Sequence, residues 1–333
     1  MSTNKHNQLT TFLWLVRREY WQNRGLFLWA PVAIGIAFFA MFLFVEFVAK
    51  DVTSVEHRTW MQENFGGEEA KHMIARSQQI IVADMSRFIL QAMMVISSLF
   101  SSLYLFGALN TERRDRSIFF WKSMPVSDTQ EVLSKLVFPL LLSPLITLVL
   151  GFLSYLLAAL VVALATLSTP YDLWPVIMYN QSLYQLPLQY LSLLPFYMVW
   201  SLPCVAWFLL VSGWTKSRVF PWAVGMPALV AMVVGFVAHS ISMTANQQGI
   251  AFIKYVVARI TLGNLPGSWI LQLSQEQMRT QEAQMIEGVF FTGILNASAK
   301  IAVQDYSLLI GLIVGAVLIA ITIRRRRYSE TIA

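Results

Sequence analysis

The sequence predicts an all-α polytopic membrane protein with six transmembrane helices. Of its 333 residues, 56% are hydrophobic and 13% are charged, and the mean hydropathy is +0.58. These values lie far from those of soluble globular domains. A hydrocarbon core about 30 Å thick needs roughly 20 apolar residues per helix, and six runs of the sequence are long enough. The runs cover residues 27–49, 88–110, 136–167, 188–213, 222–241 and 307–323. We therefore expect residues 1–333 to form a single transmembrane domain.

The first run, at 27–49, is interpreted as a permanent membrane anchor. It is too long and begins too late in the chain for a cleavable signal peptide. No small-residue cleavage site follows it, so we expect it to remain in the membrane.

The distribution of charge around the runs predicts that both termini face the cytoplasm. In that orientation the inner segments carry 15 of the 24 Lys and Arg residues, but only six of the 18 acidic residues. The inner basic residues are Lys5, Arg17, Arg18, Arg24, Arg113, Arg114, Arg116, Lys122, Lys135, Lys216, Arg218 and Arg324 to Arg327. The net charge of +6 therefore reflects topology and contact with anionic headgroups, and we expect no nucleic-acid partner.

A helix lying in the inner membrane interface is predicted before the first run, over residues 9–24. Its apolar residues recur at helical spacing, whereas the arginines occupy other faces or the end of the helix. The apolar set is Leu9, Phe12, Leu13, Val16 and Tyr20. A simple cytoplasmic extension of the first span is the alternative interpretation.

Two longer segments are predicted to lie on the outer side. The segment 50–87 is polar, and Gly66 and Gly67 divide it into two short helices that would form a small cap. The segment 242–305 contains apolar runs at 251–262 and 286–295 that are too short to span. Such runs indicate a re-entrant hairpin before the last span, and a pair of surface-lying helices is the alternative.

Motifs for catalysis, nucleotide binding and metal binding are absent from the sequence. It contains no G-x-x-x-x-G-K-[ST] phosphate loop, no H-E-x-x-H and no G-x-S-x-G. His57 and His72 lack a recognised ligand spacing, and the single cysteine, Cys204, cannot form an intramolecular disulfide. The spans also lack ionisable groups near the bilayer centre, which disfavours an ion-coupled carrier. We therefore expect no catalytic residue, cofactor or metal on this chain.

The spans do contain hydroxyl and aromatic residues that are candidates for lining a transport pathway. We single out Ser97, Ser101, Tyr197 and Trp200. Serines in membrane helices more often mediate helix packing than line a path, so packing is the alternative. A pathway of this composition would suit an amphipathic or lipid-like cargo better than a small ion.

The segment 111–135, TERRDRSIFFWKSMPVSDTQEVLSK, is charged and aromatic and lies between the second and third runs. Pro125 interrupts it, and Ser127 with Glu131 predicts a capped start for the next helix. This pattern indicates a cytoplasmic helix–turn–helix element with an aromatic tip. Arg and aromatic residues at such a tip are typical of the centres of protein interfaces. An interfacial helix that inserts its aromatics into lipid is the alternative.

With these elements in place, the chain resembles the permease subunits of bacterial type-2 ATP-binding-cassette transporters. The resemblance covers nearly the whole chain: six spans with both ends inside, an N-terminal interfacial helix, and a cytoplasmic helix between spans two and three. The phrases ERRDRSIFFWKSMPVSD and EVLSK are similar to the stretch that bacterial members carry there. The segment 50–87 is longer than in the simplest members, which leaves its role open.

The resemblance implies that the segment 111–135 is a coupling helix that docks into a separate ATPase subunit. The implied coupling residues are Glu112, Arg113, Arg114, Asp115, Arg116, Ile118, Phe119, Trp121 and Lys122. Two ATPase copies would supply ATP and Mg²⁺ and hydrolyse the nucleotide, so this chain itself would not be an enzyme. A second permease copy would complete a homodimer in the bacterial cytoplasmic membrane and export a drug, peptide or lipid-like cargo.

Two interpretations from other classes stay open at this point. One is a membrane scaffold or signalling partner without transport, which a neighbouring gene lacking a phosphate-loop motif would favour. The other is an outer-face membrane enzyme that handles lipid, which would require a tight cluster of ionisable groups in the outer segments.

Overall fold

The computed structural model describes residues 2–53, 67–124, 126–166, 181–240, 247–272, 299–300, 303 and 306–328. Every regular element within these residues is helical. In lipid, a helix satisfies the hydrogen bonds of its own backbone within one segment. Together with the apolar composition, these helices make the protein a polytopic all-α membrane protein.

The helices follow the apolar runs of the sequence. In chain order the α-helices are α1 (Ser2–Gln22), α2 (Ala30–Thr53), α3 (Gly67–Gly107), α4 (Asn110–Arg114), α5 (Ser117–Ser123), α6 (Asp128–Val137), α7 (Ser143–Thr166), α8 (Gln181–Trp214), α9 (Met226–Ser240), α10 (Gln247–Leu262) and α11 (Ser307–Tyr328). Short π-helical segments lie at Gly25–Trp29, Phe138–Leu142 and Pro221–Gly225, and a 3₁₀ helix covers Ser268–Gln272. Two of the π-helical segments contain a proline, whose missing N–H interrupts α-helical hydrogen bonding.

Five helical stretches of the described residues are long and apolar enough to cross a membrane. They are Gly25–Phe44, Phe88–Arg114, Asp128–Val161, Pro187–Trp214 and Ser307–Tyr328. Each overlaps one predicted run, although the third begins at Asp128 rather than at residue 136. The remaining run, 222–241, corresponds to a shorter apolar helix at Pro221–Val237. The structure therefore confirms a multi-pass membrane protein, and a span at 222–241 stays a prediction.

The two outer segments are described only in part. Residues 54–66 and 273–298 lie outside the described residues, and so do portions of the predicted cap and hairpin. From Gly67 onward, α3 is a single helix of 41 residues that enters the second predicted span without a break. After α10 the chain turns at Gly267, which has a φ of 83°, a value that favours glycine.

Helix α1 begins earlier than the predicted range of 9–24 and presents two different faces. Leu15 and Glu19, one helical turn apart, are buried. Leu9, Leu13 and Trp14 are mostly exposed, so an apolar surface remains on the outside of the helix. This division agrees with the spacing of a helix that packs on one side only.

One compact unit contains the residues Met1–Phe27, Ser97–Pro144 and Leu193–Ala333. Its core includes the fully buried side chains of Leu105, Val205 and Leu209. Aromatic rings also meet there: the ring centroid of Phe27 lies 5.1 Å from that of Tyr104 and 5.0 Å from that of Phe138. These contacts fix the end of α6 and the end of α3 within the same core.

The second compact unit contains Leu28–Ile96 and Leu145–Ser192. Leu90, Met94 and Leu148 form a small buried cluster within it. Gly151 allows a close helix approach there, because a Cβ on this residue would lie 2.8 Å from Cδ1 of Leu90. Small residues at such contacts are typical of packed membrane helices.

Candidate functional site

The connector between the second and third candidate spans consists of the short helices α4, α5 and α6. Arg116 joins α4 to α5 with a φ of 54°, which is the left-handed region. This backbone costs a non-glycine residue roughly 1–2 kcal/mol, so the turn depends on the packing around it. The hydroxyl of Ser117 donates to the carbonyl oxygen of Glu112 at 3.3 Å and closes the turn.

Helix α6 begins at a capping box whose second partner differs from the predicted one. The Ser127 hydroxyl accepts from the backbone N–H of Gln130 at 3.2 Å, and the Gln130 side chain accepts from the Ser127 N–H at 3.5 Å. The predicted partner, Glu131, is therefore wrong. It lies one residue too far along the helix, and its carboxylate points into a buried group of charges instead.

Six charged residues from four helices form what we call the buried charge cluster. Its members are Arg18, Glu19, Glu112, Glu131, Lys135 and Arg326. They come from α1, α4, α6 and α11. These members are three carboxylates and three cations, and the less buried carboxylate of Asp128 lies at the edge of the cluster. Through the cluster, α1 and α11, the first and last of the described helices, contact the connector.

Lys135 lies at the centre of the buried charge cluster. Its side chain is 2% exposed, and its Nζ atom lies 2.8 Å from Glu19 Oε1 and 2.7 Å from Glu112 Oε1. Arg18 Nη2 also reaches Glu19 Oε1, at 2.6 Å. The hydroxyl of Tyr104 donates to the other oxygen of Glu19 at 2.9 Å. The cluster therefore joins α1 to α3, α4 and α6.

Arg326 closes the buried charge cluster from the side of the last helix. Its Nη2 atom lies 2.7 Å from Glu131 Oε2, and both Nη atoms donate to Glu112 Oε2 at 3.2 Å. Its Nε atom lies 3.5 Å from Asp128 Oδ1. The run from Arg324 to Arg327 is typical of a stop-transfer signal, but one of its members is thus a buried structural residue.

The electrostatics of Glu19 show that the buried charge cluster favours its ionised form. Burial alone would raise the pKa of this carboxyl, but the ammonium of Lys135 and the guanidinium of Arg18 outweigh that effect. The pKa of Glu19 therefore lies below its ordinary value. Removing one partner of such a buried group leaves an uncompensated charge, which typically costs about 3–5 kcal/mol.

Four predicted coupling residues lie on the surface, and we call Arg114, Asp115, Arg116 and Lys122 the coupling surface. The side chains of Arg114 and Asp115 are 76% and 57% exposed, and they form a loose pair at 3.6 Å. Arg116 and Lys122 are exposed as well. These side chains are accessible to a soluble partner.

Four other predicted coupling residues are directed inward or lie partly covered. Glu112 belongs to the buried charge cluster, and Ile118 is only 5% exposed. Trp121 is half-buried under Arg18, whose guanidinium carbon lies 3.9 Å from the ring centroid. Arg113 is half-buried beside a cavity of about 10 Å³. The side chain of Phe119 lies outside the described residues.

The four predicted pathway residues form hydrogen bonds within the protein. The hydroxyls of Ser97 and Ser101 lie 2.7 and 2.8 Å from the hydroxyl of Ser143. The Tyr197 hydroxyl donates to the carbonyl oxygen of Asn264 at 2.9 Å. Trp200 Nε1 donates to the Ser268 hydroxyl at 2.9 Å. In this conformation the four residues connect separate segments of the fold, as expected if they mediate helix packing.

A buried arginine that the sequence did not single out lies beneath the last helix. Arg259 is 6% exposed, its guanidinium carbon lies 4.1 Å from the ring centroid of Trp200, and its Nη1 atom donates to the Ser307 carbonyl oxygen at 2.6 Å. Its guanidinium also contacts Gly311, where a Cβ would collide with it. Burial lowers the pKa of Arg259. Its position in the apolar run 251–262 was the available signal, because a charge there needs compensation.

No group of three His, Cys, Asp or Glu side chains among the described residues could hold a metal ion. Cys204 is fully buried in the core of the first compact unit. The ionisable outer cluster that a lipid-handling enzyme would need falls on segments that lie largely outside the described residues.

Comparison of the chain with models of known protein families, with curated proteins and with solved structures gave no match.

Proposed function

We propose that this chain is the membrane-spanning permease subunit of an ATP-binding-cassette exporter. It would move an amphipathic or hydrophobic cargo, such as a drug, peptide or lipid-like molecule, outward across the bacterial cytoplasmic membrane. A separate ATPase, in two copies, would hydrolyse ATP with Mg²⁺, and a second permease copy would complete a homodimer. The proposal includes six spans, with Pro221–Val237 in the fifth, and both termini in the cytoplasm.

The connection between the coupling surface and the buried charge cluster is the observation that carries this proposal. Helices α4 and α5 expose the coupling surface and, through Glu112 and Trp121, contact Arg18, Lys135 and Arg326. A partner that moved α5 would therefore move α1, α6 and α11 with it. Moving one of these helices alone would leave buried charges without a partner, which is costly, so the helices are expected to move together.

The pathway residues take a defined place in this proposal. In the described conformation, hydrogen bonds to Ser143, Asn264 and Ser268 occupy their polar atoms. Cargo would contact Ser97, Ser101, Tyr197 and Trp200 in a second conformation, in which these bonds are exchanged. Transport requires two such states that a partner binds with different affinity.

Charge reversal of the coupling surface tests the proposed ATPase contact. The triple variant Arg114→Glu/Arg116→Glu/Lys122→Glu should lose most of the ATPase that co-purifies with the detergent-extracted protein, because like charges across an interface repel. Mass spectrometry identifies the partner by a G-x-x-x-x-G-K-[ST] phosphate loop, and ATP hydrolysis is measured in the same preparation.

The matched control reverses exposed arginines on the N-terminal side, as Arg17→Glu/Arg24→Glu, and should retain the ATPase. Unchanged thermal unfolding of the triple variant shows that its fold is intact. A wild-type preparation that contains no such ATPase contradicts the proposal and favours a scaffold. A triple variant that keeps its full ATPase shows that the coupling surface is not the contact.

A further inference from the structure

A cleft of about 290 Å³ lies beside the end of α8 and the start of the next apolar helix, within the first compact unit. Its apolar lining consists mainly of Trp207, Trp214, Trp222 and Met226. The indole N–H of Trp207 donates to the Ala223 carbonyl oxygen at 2.9 Å, which fixes the inner wall. The cleft is thus a preformed concavity, in contrast to the convex apolar surface of an ordinary lipid-facing helix.

One cation lines this cleft, a second lies beside one of its tryptophans, and a third follows the first by two residues in the sequence. Lys216 is one of its lining residues and is exposed. The guanidinium carbon of Arg325 lies 5.4 Å from the ring centroid of Trp214. Arg218 is exposed two residues after Lys216. These three cations form no ion pair with any other described residue, and the residues that line the cleft include no acid. The cleft therefore offers apolar walls beside cations that no acid among the described residues neutralises.

We propose that this cleft binds one anionic phospholipid of the cytoplasmic leaflet. Tryptophan is enriched at the depth of the lipid headgroups, and clustered Lys and Arg residues beside a span attract anionic lipids. The headgroup phosphate would lie at Lys216 and Arg325, and the start of an acyl chain would lie against Trp222 and Met226. The assignment to this leaflet rests on the orientation included in the proposed function.

Charge complementarity favours the lipid over a second copy of this chain as the occupant. In a twofold symmetric dimer, a patch on the axis meets its own copy. The cations of this cleft would then face the same cations, which disfavours association. An anionic phospholipid supplies both the negative charge and the apolar chain that the lining residues complement.

The test compares two phospholipids with identical acyl chains on the detergent-purified, delipidated full chain. Dioleoyl phosphatidylglycerol should form a one-lipid adduct in native mass spectrometry and raise the thermal unfolding midpoint more than dioleoyl phosphatidylcholine does. Lys216→Gln should weaken phosphatidylglycerol binding about fivefold, in keeping with the typical contribution of one basic residue near an anionic surface. Trp222→Ala should weaken the binding of the same lipid by removing the apolar wall.

Matched controls separate a specific site from general attraction to the surface. Arg24 lies beside Trp21, with 5.8 Å between its guanidinium carbon and the ring centroid, but outside the cleft. Arg24→Gln, and Leu229→Ala on the exposed face of α9, should leave the affinity for phosphatidylglycerol unchanged.

Four outcomes would overturn the proposal. The first is equal binding of both lipids, and the second is an equal loss of binding in Arg24→Gln and Lys216→Gln. The third is that inorganic phosphate alone raises the unfolding midpoint as much as phosphatidylglycerol does. The fourth is a change of oligomer mass in Lys216→Gln without loss of bound lipid. The measurement uses neither an ATPase nor transported cargo. Its failure therefore leaves the proposed permease function untouched, and failure of the ATPase test leaves the lipid site in place.

Discussion

Lys135 illustrates how strongly a single residue can bind distant parts of this chain together. Its ammonium bridges Glu19 of α1 and Glu112 of α4, and water reaches none of the three groups freely. A buried cation of this kind contributes stability only while its partners are present.

Replacement of Lys135 should therefore be costly, and a second replacement should restore part of the loss. Lys135→Met leaves the carboxylates of Glu19 and Glu112 short of a cation, and we expect a destabilisation of about 3 kcal/mol. Lys135→Met/Glu19→Gln should be more stable than Lys135→Met, since it removes one of those charges. Thermal and denaturant unfolding in detergent measure both effects. The exposed Lys122→Met is the control, with an expected change below about 0.5 kcal/mol.

The pH dependence of the unfolding free energy in the single variant Glu19→Gln provides an independent check. Because the folded-state pKa of Glu19 lies below its ordinary value of 4.5, its contribution to stability is complete above that pH. The contribution is lost as the pH falls through the lower, folded-state value. Glu19→Gln should therefore flatten this part of the acid limb of the stability curve. An acid limb identical to that of the wild type would show that folding does not lower the pKa of Glu19.

At this scale the sequence predicted the connector but not the direction of its side chains. Glu112 stands in a run of charges, and no local pattern separates it from Arg114 or Asp115. Its inward direction is decided by Lys135 and by Arg326, which is 214 residues away in the chain. Only tertiary contacts carry that information.

Among the elements, α11 shows how two small residues on one helix serve different neighbours. Gly311 accommodates the guanidinium of Arg259, whereas Gly315 faces Leu202 of α8, whose Cδ2 would lie 2.8 Å from an added Cβ. Gly311 thus leaves room for the buried side chain of Arg259, and Gly315, four residues later, allows α11 to approach α8 closely.

Substitution of Gly311 should disturb Arg259 rather than the backbone. We expect Gly311→Ala to destabilise the protein by about 1–3 kcal/mol through overpacking, despite the better helix propensity of alanine. Unfolding midpoints in detergent measure the change. Gly235→Ala in α9 is the matched control, because an added Cβ there makes only an ordinary contact at 3.9 Å. Gly311→Ala/Arg259→Ala should recover stability relative to Arg259→Ala alone, and a further loss would refute the contact.

The elements themselves were largely predictable, because apolar runs of spanning length leave the backbone few alternatives to a helix. The boundaries were less so. Helix α3 begins at Gly67, well inside the polar segment 50–87, because no proline or glycine between Gly67 and the predicted span at 88–110 interrupts the helix. The start of the third candidate span also shifted, because the capped helix α6 continues into it.

At the scale of the whole molecule, the proposed topology can be tested with the single native cysteine. Cys204 is fully buried, so Cys204→Ser provides a background without accessible thiols. With a membrane-impermeant maleimide on intact cells, Gln62→Cys and Gln247→Cys should be labelled, whereas Ser123→Cys should react only after lysis. Gln247→Cys reports on the fifth predicted span in particular, and its protection in intact cells would mean that 222–241 does not cross the membrane.

The buried charge cluster also has a consequence for how the protein is made. Synthesis releases Arg18, Glu19, Glu112, Glu131 and Lys135 long before Arg326, so the early cluster holds three acids and only two cations. Until the last helix arrives, Glu131 lacks its closest cation, which lies at 2.7 Å in the finished protein. The charges of the cluster are therefore balanced only when α11 has packed against the group of residues that α1 also contacts.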